Sequence, residues 1–200
     1  ALNYDLLATV DDSSCCYNSG QLWNQLGNDI FGENYNDRSG KAIDFSGDGN
    51  SIIIGAWEHD ANGYTNAGYA RVFQFNGSNW IQKGGDLNGT LTDQEYGTSV
   101  SISDNGNIIA IGTPKDDPSG TGSWGCIDCW GLTQIFEYNG SSWVQLGQNI
   151  YGSSSNPNMG EYISLSADGN RIIIASKEWG NSYSGVAQVY EFSGSSWVQV

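Results

Sequence analysis

Positive charge, proline and long apolar runs are all scarce in this chain. Its 200 residues include 7 Lys and Arg, 3 Pro and 22 Asp and Glu, which gives a formal net charge of -15 at pH 7. A surface of this sign repels phosphate backbones and anionic headgroups, so we expect no nucleic-acid partner. The longest aliphatic stretches, "SIIIGA" and "NIIAIG", are far shorter than the roughly 18 apolar residues of a membrane-spanning helix. We therefore expect no membrane insertion.

Groups that could form a catalytic site are also scarce. The chain has one histidine, His59, and neither a G-x-S-x-G motif nor a pair of carboxylates that recurs at a strand end. We therefore expect no enzymatic activity, with a polysaccharide-active enzyme as the remaining alternative. The acidic clusters Glu58-His59-Asp60 and Asp116-Asp117 are interpreted as solvated loop charge.

The four cysteines lie at Cys15, Cys16, Cys126 and Cys129. A four-ligand zinc site is disfavoured because His59 is the only imidazole in the chain. A redox C-x-x-C motif should open a helix beside a βαβ unit, and the sequence shows no such unit. We expect loop disulfides formed in an oxidising compartment, with the pairing left open and thiols as the alternative.

Glycine and aromatic side chains are abundant, at 28 residues and 12% of the chain. With 38% hydrophobic residues and frequent Asn, Ser and Asp, this composition is typical of many short strands joined by tight turns. The length suffices for one ordinary domain with a core of its own.

The sequence repeats itself in units that each end on a tryptophan strand. Similar segments begin at Trp23, Trp80, Trp143 and Trp197, at spacings of 57, 63 and 54 residues. Such self-similarity indicates a repeat architecture. Because each tryptophan recurs at one position of an outer strand, we interpret these side chains as packing between units.

Each unit contains four predicted strands in the same order, which we call a, b, c and d. An alternating strand such as "KAIDFS" precedes the turn "GDGN" and the aliphatic strand "SIIIGA". A long variable loop then leads to "ARVFQF", a short turn "NGSN" and the tryptophan strand. The Asn-Gly and Asp-Gly turns are hairpin signals, and no segment has helical apolar spacing. The units therefore predict four-stranded antiparallel meanders.

Sheets of this kind must cover their apolar faces by packing on one another. Radial packing of four-stranded sheets gives a β-propeller. We predict an all-β fold of β-propeller-type blades, with a β-trefoil or another three-fold β fold as the alternative. Since three blades are too few for a closed ring, we expect either continuation in a longer chain or self-association into a ring or filament.

The segment "EYGTSVSISDNGNIIAIGTP", residues 95–114, resembles the FG-GAP repeat of integrin-α-type β-propellers. "DRSGKAIDFSGDGNSIIIGA" and "NMGEYISLSADGNRIIIAS" match more loosely. The resemblance covers roughly residues 21–200 and implies blades of an extracellular propeller. None of the units contains the D-x-D-x-D-G calcium loop that such blades often carry.

The predicted organisation has two parts. Residues 1–20 form a cysteine-containing segment that is similar to a short cysteine-bounded module of secreted marine bacterial proteins. The β-propeller repeats occupy 21–200, with blades at about 41–85, 98–148 and 160–200 and an extra outer strand at 21–27.

The two ends of each meander differ in their connections. The a–b and c–d turns share one end, whereas the b–c loops and d–a connectors share the other, where loops are long and vary between units. Binding residues are concentrated in such loops. Their aromatic rings either cover the sheet ends or contact a protein or glycan partner. The candidate ligand-binding residues on this loop face are Trp57, Tyr64, Trp124, Trp130, Trp179 and Tyr183.

The acidic segment Asp48-Gly49-Asn50, taken alone, could be a cation-binding loop. The corresponding acidic position is Asn105 in the second unit, whereas Gly106 and Gly169 repeat Gly49. A turn with positive φ accepts Asp or Asn equally well. We therefore interpret this segment as a hairpin turn.

Two further motifs concern metals and glycans. Asp60 and Asn62 place oxygen ligands before a glycine, and although the remaining ligands of a calcium loop are lacking, they are the candidate metal site. We otherwise expect no cofactor. Asn76, Asn88 and Asn139 lie in N-G-S or N-G-T sequons and would be glycosylated in a eukaryotic secretory route.

Together these patterns predict a secreted or cell-surface module that adheres to or recognises a protein or glycan. The alternative is a structural subunit that assembles end to end into a filament or coat.

Overall fold

The computed structural model describes residues 24–116, 129–153, 158–177 and 185–200. These residues form 14 β-strands in three antiparallel sheets. Within the described ranges there is no helix, and thus none long and apolar enough to cross a membrane. The described strands form open sheets and no closed barrel.

The strand bounds follow the repeat of the sequence. Sheet 1 contains β1 (Ala42–Phe45), β2 (Ser51–Ala56), β3 (Tyr69–Phe75), β4 (Trp80–Gln82) and β5 (Leu87–Asn88). Sheet 2 contains β6 (Ser99–Ile102), β7 (Ile108–Thr113), β8 (Leu132–Tyr138), β9 (Trp143–Gln145) and β10 (Ile150–Tyr151). Sheet 3 contains β11 (Tyr162–Leu165), β12 (Arg171–Ser176), β13 (Val186–Phe192) and β14 (Trp197–Gln199).

In every sheet, four consecutive strands pair as an antiparallel meander. This confirms the predicted a, b, c and d strands and their order. The short strands β5 and β10 pair with the N-terminal ends of β3 and β8. They lie in the d–a connectors, so each connector is held against the sheet that it leaves.

Side-chain hydrogen bonds close the a–b turns. In the first turn, the Asp48 carboxylate accepts hydrogen bonds from the Ser46 hydroxyl at 2.6 Å and from the Asn50 backbone N–H at 2.9 Å. Asn105 accepts the equivalent backbone bond from Asn107 at 2.9 Å. The uncharged amide of Asn105 therefore accepts the same backbone hydrogen bond as the carboxylate of Asp48. Since β1 and β2 pair on either side of this segment, its interpretation as a hairpin turn is confirmed.

The apolar core lies between the sheets. Ile53 and Val72 of sheet 1 pack against a cluster from sheet 2 that includes Ile109 and Ile111, and all four side chains are buried. A second cluster joins sheet 2 to sheet 3. Sheet 2 therefore covers one face of sheet 1, and sheet 3 covers one face of sheet 2, which accounts for the continuous apolar runs of their aliphatic b strands.

The repeated tryptophans connect each unit to the one before it. The indole N–H of Trp143 donates a 2.8 Å hydrogen bond to the Lys83 carbonyl oxygen, three residues beyond Trp80. The same contact is made at the neighbouring positions, from Trp80 to Leu26 at 2.9 Å and from Trp197 to Leu146 at 2.9 Å. The interpretation of these frame tryptophans as contacts between units is confirmed for the three described ones.

The a strands are also joined by a side-chain ladder. The Asp44 carboxylate on β1 accepts the backbone N–H of Ile102 on β6 at 2.9 Å. One unit further on, the Ser101 hydroxyl accepts the backbone N–H of Leu165 on β11 at 3.0 Å. The three sheets are thus related by one repeated packing operation.

Candidate functional site

Three cavities lie at the end of the sheets that carries the b–c loops and d–a connectors. Their volumes are about 490, 370 and 290 Å³. Every one of them is lined by residues of a d–a connector together with residues of a b–c loop or of the strand that adjoins it. These three cavities therefore lie at the loop end that was predicted to carry function.

The largest of these three cavities is a groove between the first d–a connector and β8 of sheet 2, which we call the connector groove. Its walls combine apolar side chains with a larger number of polar ones. The apolar residues are Leu87, Leu91, Tyr96, Leu132 and Phe136, and the polar residues are Asp86, Asn88, Thr90, Gln94, Asp116, Gln134, Asn149 and Tyr151. Hydrogen-bonding groups with no fixed positive charge therefore surround an apolar floor.

A buried polar pair anchors one wall of the connector groove. The Gln94 side-chain amide donates a 2.5 Å hydrogen bond to the Asp116 carboxylate, and both residues are buried. The amide oxygen of Gln94 accepts the backbone N–H groups of Thr90 at 2.7 Å and Leu91 at 3.3 Å. Because buried polar groups persist when they are paired, this pair fixes the connector on the b–c loop of the next sheet.

His59 and Asp37 occupy the corresponding positions in unit 1. The Nδ1 atom of His59 lies 3.0 Å from the Asp37 carboxylate, and both side chains are buried. The His59 ring also packs edge-on against Tyr69, with the ring centres 4.7 Å apart. The interpretation of the His59 and Asp116 clusters as solvated loop charge is therefore wrong for these two residues, because their connector partners cover them.

An ion pair supports the connector groove from the rim of sheet 1. The Arg71 guanidinium binds both carboxylate oxygens of Asp86, at 2.8 and 2.7 Å, and also contacts Glu33. Gln82 donates a further 2.6 Å hydrogen bond to Asp86. The hydrogen bond from Arg71, opposed in part by burial, holds the pKa of the Asp86 carboxyl below its ordinary value.

Unit 2 repeats this arrangement without charges. Gln134 takes the position of Arg71 and donates to the Asn149 side-chain oxygen at 3.0 Å. Gln145 donates to the same oxygen at 2.8 Å, and the Asn149 amide donates to the Tyr151 hydroxyl at 2.9 Å. The ion pair of unit 1 and the amide network of unit 2 therefore occupy equivalent positions. Each contributes residues to the connector groove.

The d–a connectors also hold a repeated strained backbone position. Arg38, Glu95 and Asn158 occupy the same place before a connector glycine and have φ values of 56°, 57° and 55°. Non-glycine residues rarely adopt this region. Burial raises the pKa of the Glu95 carboxyl, which lines the 290 Å³ cavity with Asn158. Strain of this kind is concentrated at functional sites.

The three predicted loop aromatics that the structure describes, Trp57, Tyr64 and Trp130, are not among the lining residues of the connector groove. Trp57 is half-buried, and its indole N–H has no hydrogen-bond partner within the described part of the chain. Tyr64 and Trp130 are exposed. Three further candidates, Trp124, Trp179 and Tyr183, lie outside the described residues.

The candidate metal ligands Asp60 and Asn62 lie in the first b–c loop, where they take part in its local structure. The Asp60 carboxylate accepts the Asn66 backbone N–H at 2.9 Å, and Asn62 lies in a turn with φ of 55°. Across the described ranges, no three His, Cys, Asp or Glu side chains are grouped as metal ligands would be. Calcium binding at Asp60 and Asn62 stays a prediction.

The sequons and cysteines occupy different places. Asn76 and Asn139 close the c–d turns, whereas Asn88 lies on β5 in the wall of the connector groove.

Cys129 is buried, with its Sγ atom 3.4 Å from the Lys115 carbonyl oxygen. The disulfide prediction remains open, because the other three cysteines, Cys15, Cys16 and Cys126, lie outside the described residues.

The connector residues were missed at the sequence level, although they leave a signal. The segments from Trp23, Trp80 and Trp143 read W-x-Q-x-G-x-[DN], and in each the Gln side chain donates a hydrogen bond to the Asp or Asn four residues later. The contacts are Gln25 to Asp29 at 2.6 Å, Gln82 to Asp86 at 2.6 Å and Gln145 to Asn149 at 2.8 Å. A comparison of the connectors position by position would have found this pattern.

No protein-family model and no curated protein matches the chain. Among solved structures, it is similar to hydrazine synthase of Kuenenia stuttgartiensis, with 12% sequence identity and a TM-score of 0.37. The similarity covers 86% of this chain and 53% of that chain, so this chain spans about half the length of that neighbour. No inference on function rests on a likeness at this level. The resemblance to FG-GAP repeats stays a prediction.

Proposed function

We propose that this chain is a non-catalytic recognition module that binds a glycan in the connector groove. The observation that carries the proposal is the lining of this 490 Å³ groove, where side-chain amides, carboxylates and a tyrosine surround leucine and phenylalanine. Ligand sites combine an apolar surface with a few convergent polar groups in this way.

The chemistry of the lining favours a polyhydroxylated ligand. Sugar hydroxyls both donate and accept hydrogen bonds, and Asn, Gln and Asp side chains offer both functions. The apolar C–H face of a sugar ring needs a surface such as that of Leu87 and Leu91. With no cationic side chain in the lining and a net charge of -15, a neutral or cationic glycan is favoured over an anionic one.

The architecture supports a propeller-type module. The sheets are four-stranded meanders that stack by one repeated operation, as blades do, whereas a β-trefoil contains a closed barrel. The extracellular character of FG-GAP propellers extends the proposal to a secreted or cell-surface location. The partner is then a glycan, or a glycosylated protein, at a cell surface.

A glycan array followed by titration tests the proposal. Asn88→Ala and Asp116→Asn alter the connector groove, and Asp104→Asn at the opposite, a–b turn end is the matched control. We expect the groove variants to lose at least about tenfold in affinity, about 1.4 kcal/mol, and the control to bind like the wild type. Melting temperatures establish that the variants are folded.

Two results would contradict the connector groove as the site. The first is an array on which no glycan binds. The second is binding that both groove variants retain and that Trp124→Ala or Trp179→Ala abolishes, which would move the site to the aromatic b–c loops.

A further inference from the structure

We call the face of a sheet that points toward the next sheet along the chain its forward face, and the opposite face its rear face. The forward face of sheet 1 packs on the rear face of sheet 2. The forward face of sheet 1 includes Ile53 and Val72, both fully buried by sheet 2. The same positions of sheet 3 are Ile173 and Val189, which are 43% and 37% exposed. The forward face of sheet 3 therefore has no sheet packed on it among the described residues.

The rear face of sheet 1 is open along its first strand, β1. Ile43 and Phe45 are 64% and 57% exposed, whereas their counterparts on sheet 2, Val100 and Ile102, are buried. A Cβ atom added to Gly40 would meet open space, although the equivalent Gly97 lies against the Tyr69 carbonyl oxygen of sheet 1. Ile52 and Ile54, which pair with Phe45 and Ile43 on the same face, are buried. Among the described residues no sheet packs on either outer face, so both faces present part of an interface that the chain forms twice internally.

That internal interface requires a glycine where two backbones meet most closely. A Cβ atom on Gly55 would overlap the carbonyl oxygen of Gly97, and one on Gly112 would overlap the carbonyl oxygen of Gly160. Neither Gly55 nor Gly112 has a positive φ. Space, rather than backbone conformation, is therefore what excludes a larger residue at these positions.

The residue paired with this glycine across the sheet is small as well. Ala42 pairs with Gly55, and Ser99 pairs with Gly112. The Ser99 hydroxyl donates a 2.6 Å hydrogen bond to the Gly160 carbonyl oxygen of the next sheet. A small pair on the forward face thus accommodates the connector glycine of the sheet that follows.

Sheet 3 departs from this rule at both positions, where Tyr162 pairs with Ala175. We propose that Tyr162 and Ala175 block end-to-end stacking of copies of this chain. In a second copy seated in the register of the internal interfaces, the Gly40 carbonyl oxygen would overlap the Ala175 Cβ atom. The Tyr162 ring, exposed on this face, would occupy the space of the same segment.

The block is specific to one mode of association. It acts against a sheet 1 that approaches as sheet 2 and sheet 3 approach their neighbours, which is the contact that a head-to-tail filament would repeat. Exposed apolar side chains on both outer faces make such a contact a hazard. By preventing this head-to-tail contact, Tyr162 and Ala175 would protect the protein against polymerisation.

The test restores the small pair and measures self-association by sedimentation velocity. We expect the wild type to sediment independently of concentration over a hundredfold range. The double variant Tyr162→Ala, Ala175→Gly reproduces the Ala42–Gly55 pair and should associate with rising concentration. Adding Ile43→Asp, on the rear face of sheet 1, should return it to the monomer. Tyr64→Ala, an exposed loop aromatic, is the matched control and should behave like the wild type.

Two results overturn the proposal. One is a wild type that already associates and is dissociated by Ile43→Asp, since the stack would then form despite Tyr162 and Ala175. The other is a folded double variant that stays monomeric at every concentration, since the two residues would then not be the obstacle.

Discussion

At the scale of single residues, the acid in the a–b turn is a structural side chain. The hydroxyl of Ser46 and the backbone and side-chain N–H groups of Asn50 lower the pKa of the exposed Asp48 carboxyl to about 2. Asp168 has the same neighbours, and its pKa is lowered to about 2 as well. Asn105 makes the same backbone contact without charge, so the turn depends on the oxygen acceptor and not on a negative charge.

We therefore expect Asp48→Asn to lower the melting temperature only slightly at pH 7, because the amide oxygen keeps the backbone hydrogen bond and only the contribution of the charge is lost. Because the folded pKa of Asp48 lies below its unfolded value, its ionised form stabilises the fold above about pH 4. This contribution disappears as the pH falls through about 2, and the variant lacks this part of the acid sensitivity. Thermal melts from pH 2 to 7, with and without Ca²⁺, provide the measurement. Stabilisation of the wild type by Ca²⁺ that Asp48→Asn abolishes would contradict the turn assignment.

At the scale of structural elements, the connectors keep a geometry while their charges change. Arg71 with Asp86 in unit 1 corresponds to Gln134 with Asn149 in unit 2. Both pairs fasten a connector to the c strand of its own sheet. The charged pair adds pH dependence, because the folded pKa of Asp86 is depressed.

The double variant Arg71→Gln, Asp86→Asn transplants the unit 2 pair into unit 1. We expect a cost of about 1 kcal/mol at pH 7, since charge-assisted hydrogen bonds are replaced by neutral ones. The ionised Asp86 stabilises the fold above its unfolded pKa of about 3.9, and this contribution disappears as the pH falls through the lower folded pKa. The variant should therefore lose less stability than the wild type on acidification.

Arg171→Gln with Glu191→Gln is the matched control for this experiment. This ion pair also joins an arginine to a carboxylate, at 2.9 Å, but both of its side chains are exposed. Exposed ion pairs contribute little to stability, so we expect little change at pH 7. An acid profile of the Arg71 and Asp86 variant that is identical to the wild type would show that the connector pair carries no pH dependence.

At the scale of the whole molecule, the sheets pack closely enough for backbone to touch backbone. The contact between Gly55 and the Gly97 carbonyl oxygen has no room for a methyl group. Protein interiors are packed too densely to absorb such a change without moving a sheet. The spacing between units is therefore set by a glycine in an otherwise ordinary strand.

We expect Gly55→Ala to lower the free energy of unfolding by about 1 to 3 kcal/mol, the usual cost of overpacking. Gly85→Ala is the matched control, because a Cβ atom there meets nothing within 4 Å and its φ is not positive. The control should stay within about 0.5 kcal/mol of the wild type. Urea titration measures both values, and equal stability of the two variants would contradict the close approach.

The sequence located the end of the molecule at which the connector groove lies but not the residues that line this groove. Aromatic residues such as Trp57 and Tyr64 stand out in the variable loops, whereas the lining residues Asn88 and Gln94 belong to connectors without a conspicuous composition. Their importance arises from contacts across units, such as Gln94 with Asp116 at 2.5 Å. The sequence pattern of a single unit does not indicate which residues of another unit it contacts.

The sequence alone determined the order and antiparallel pairing of the four meander strands of each unit, because period, turn chemistry and alternating polarity are local properties. It also determined that Asp48 belongs to a turn, since repeated copies substitute Asn for Asp. Only the tertiary structure decided which face of each sheet is covered, that His59 and Asp116 are buried, and that Ala175 lies where the other sheets need glycine. These properties depend on the distance between backbones far apart in the chain, and strand patterns do not specify that distance.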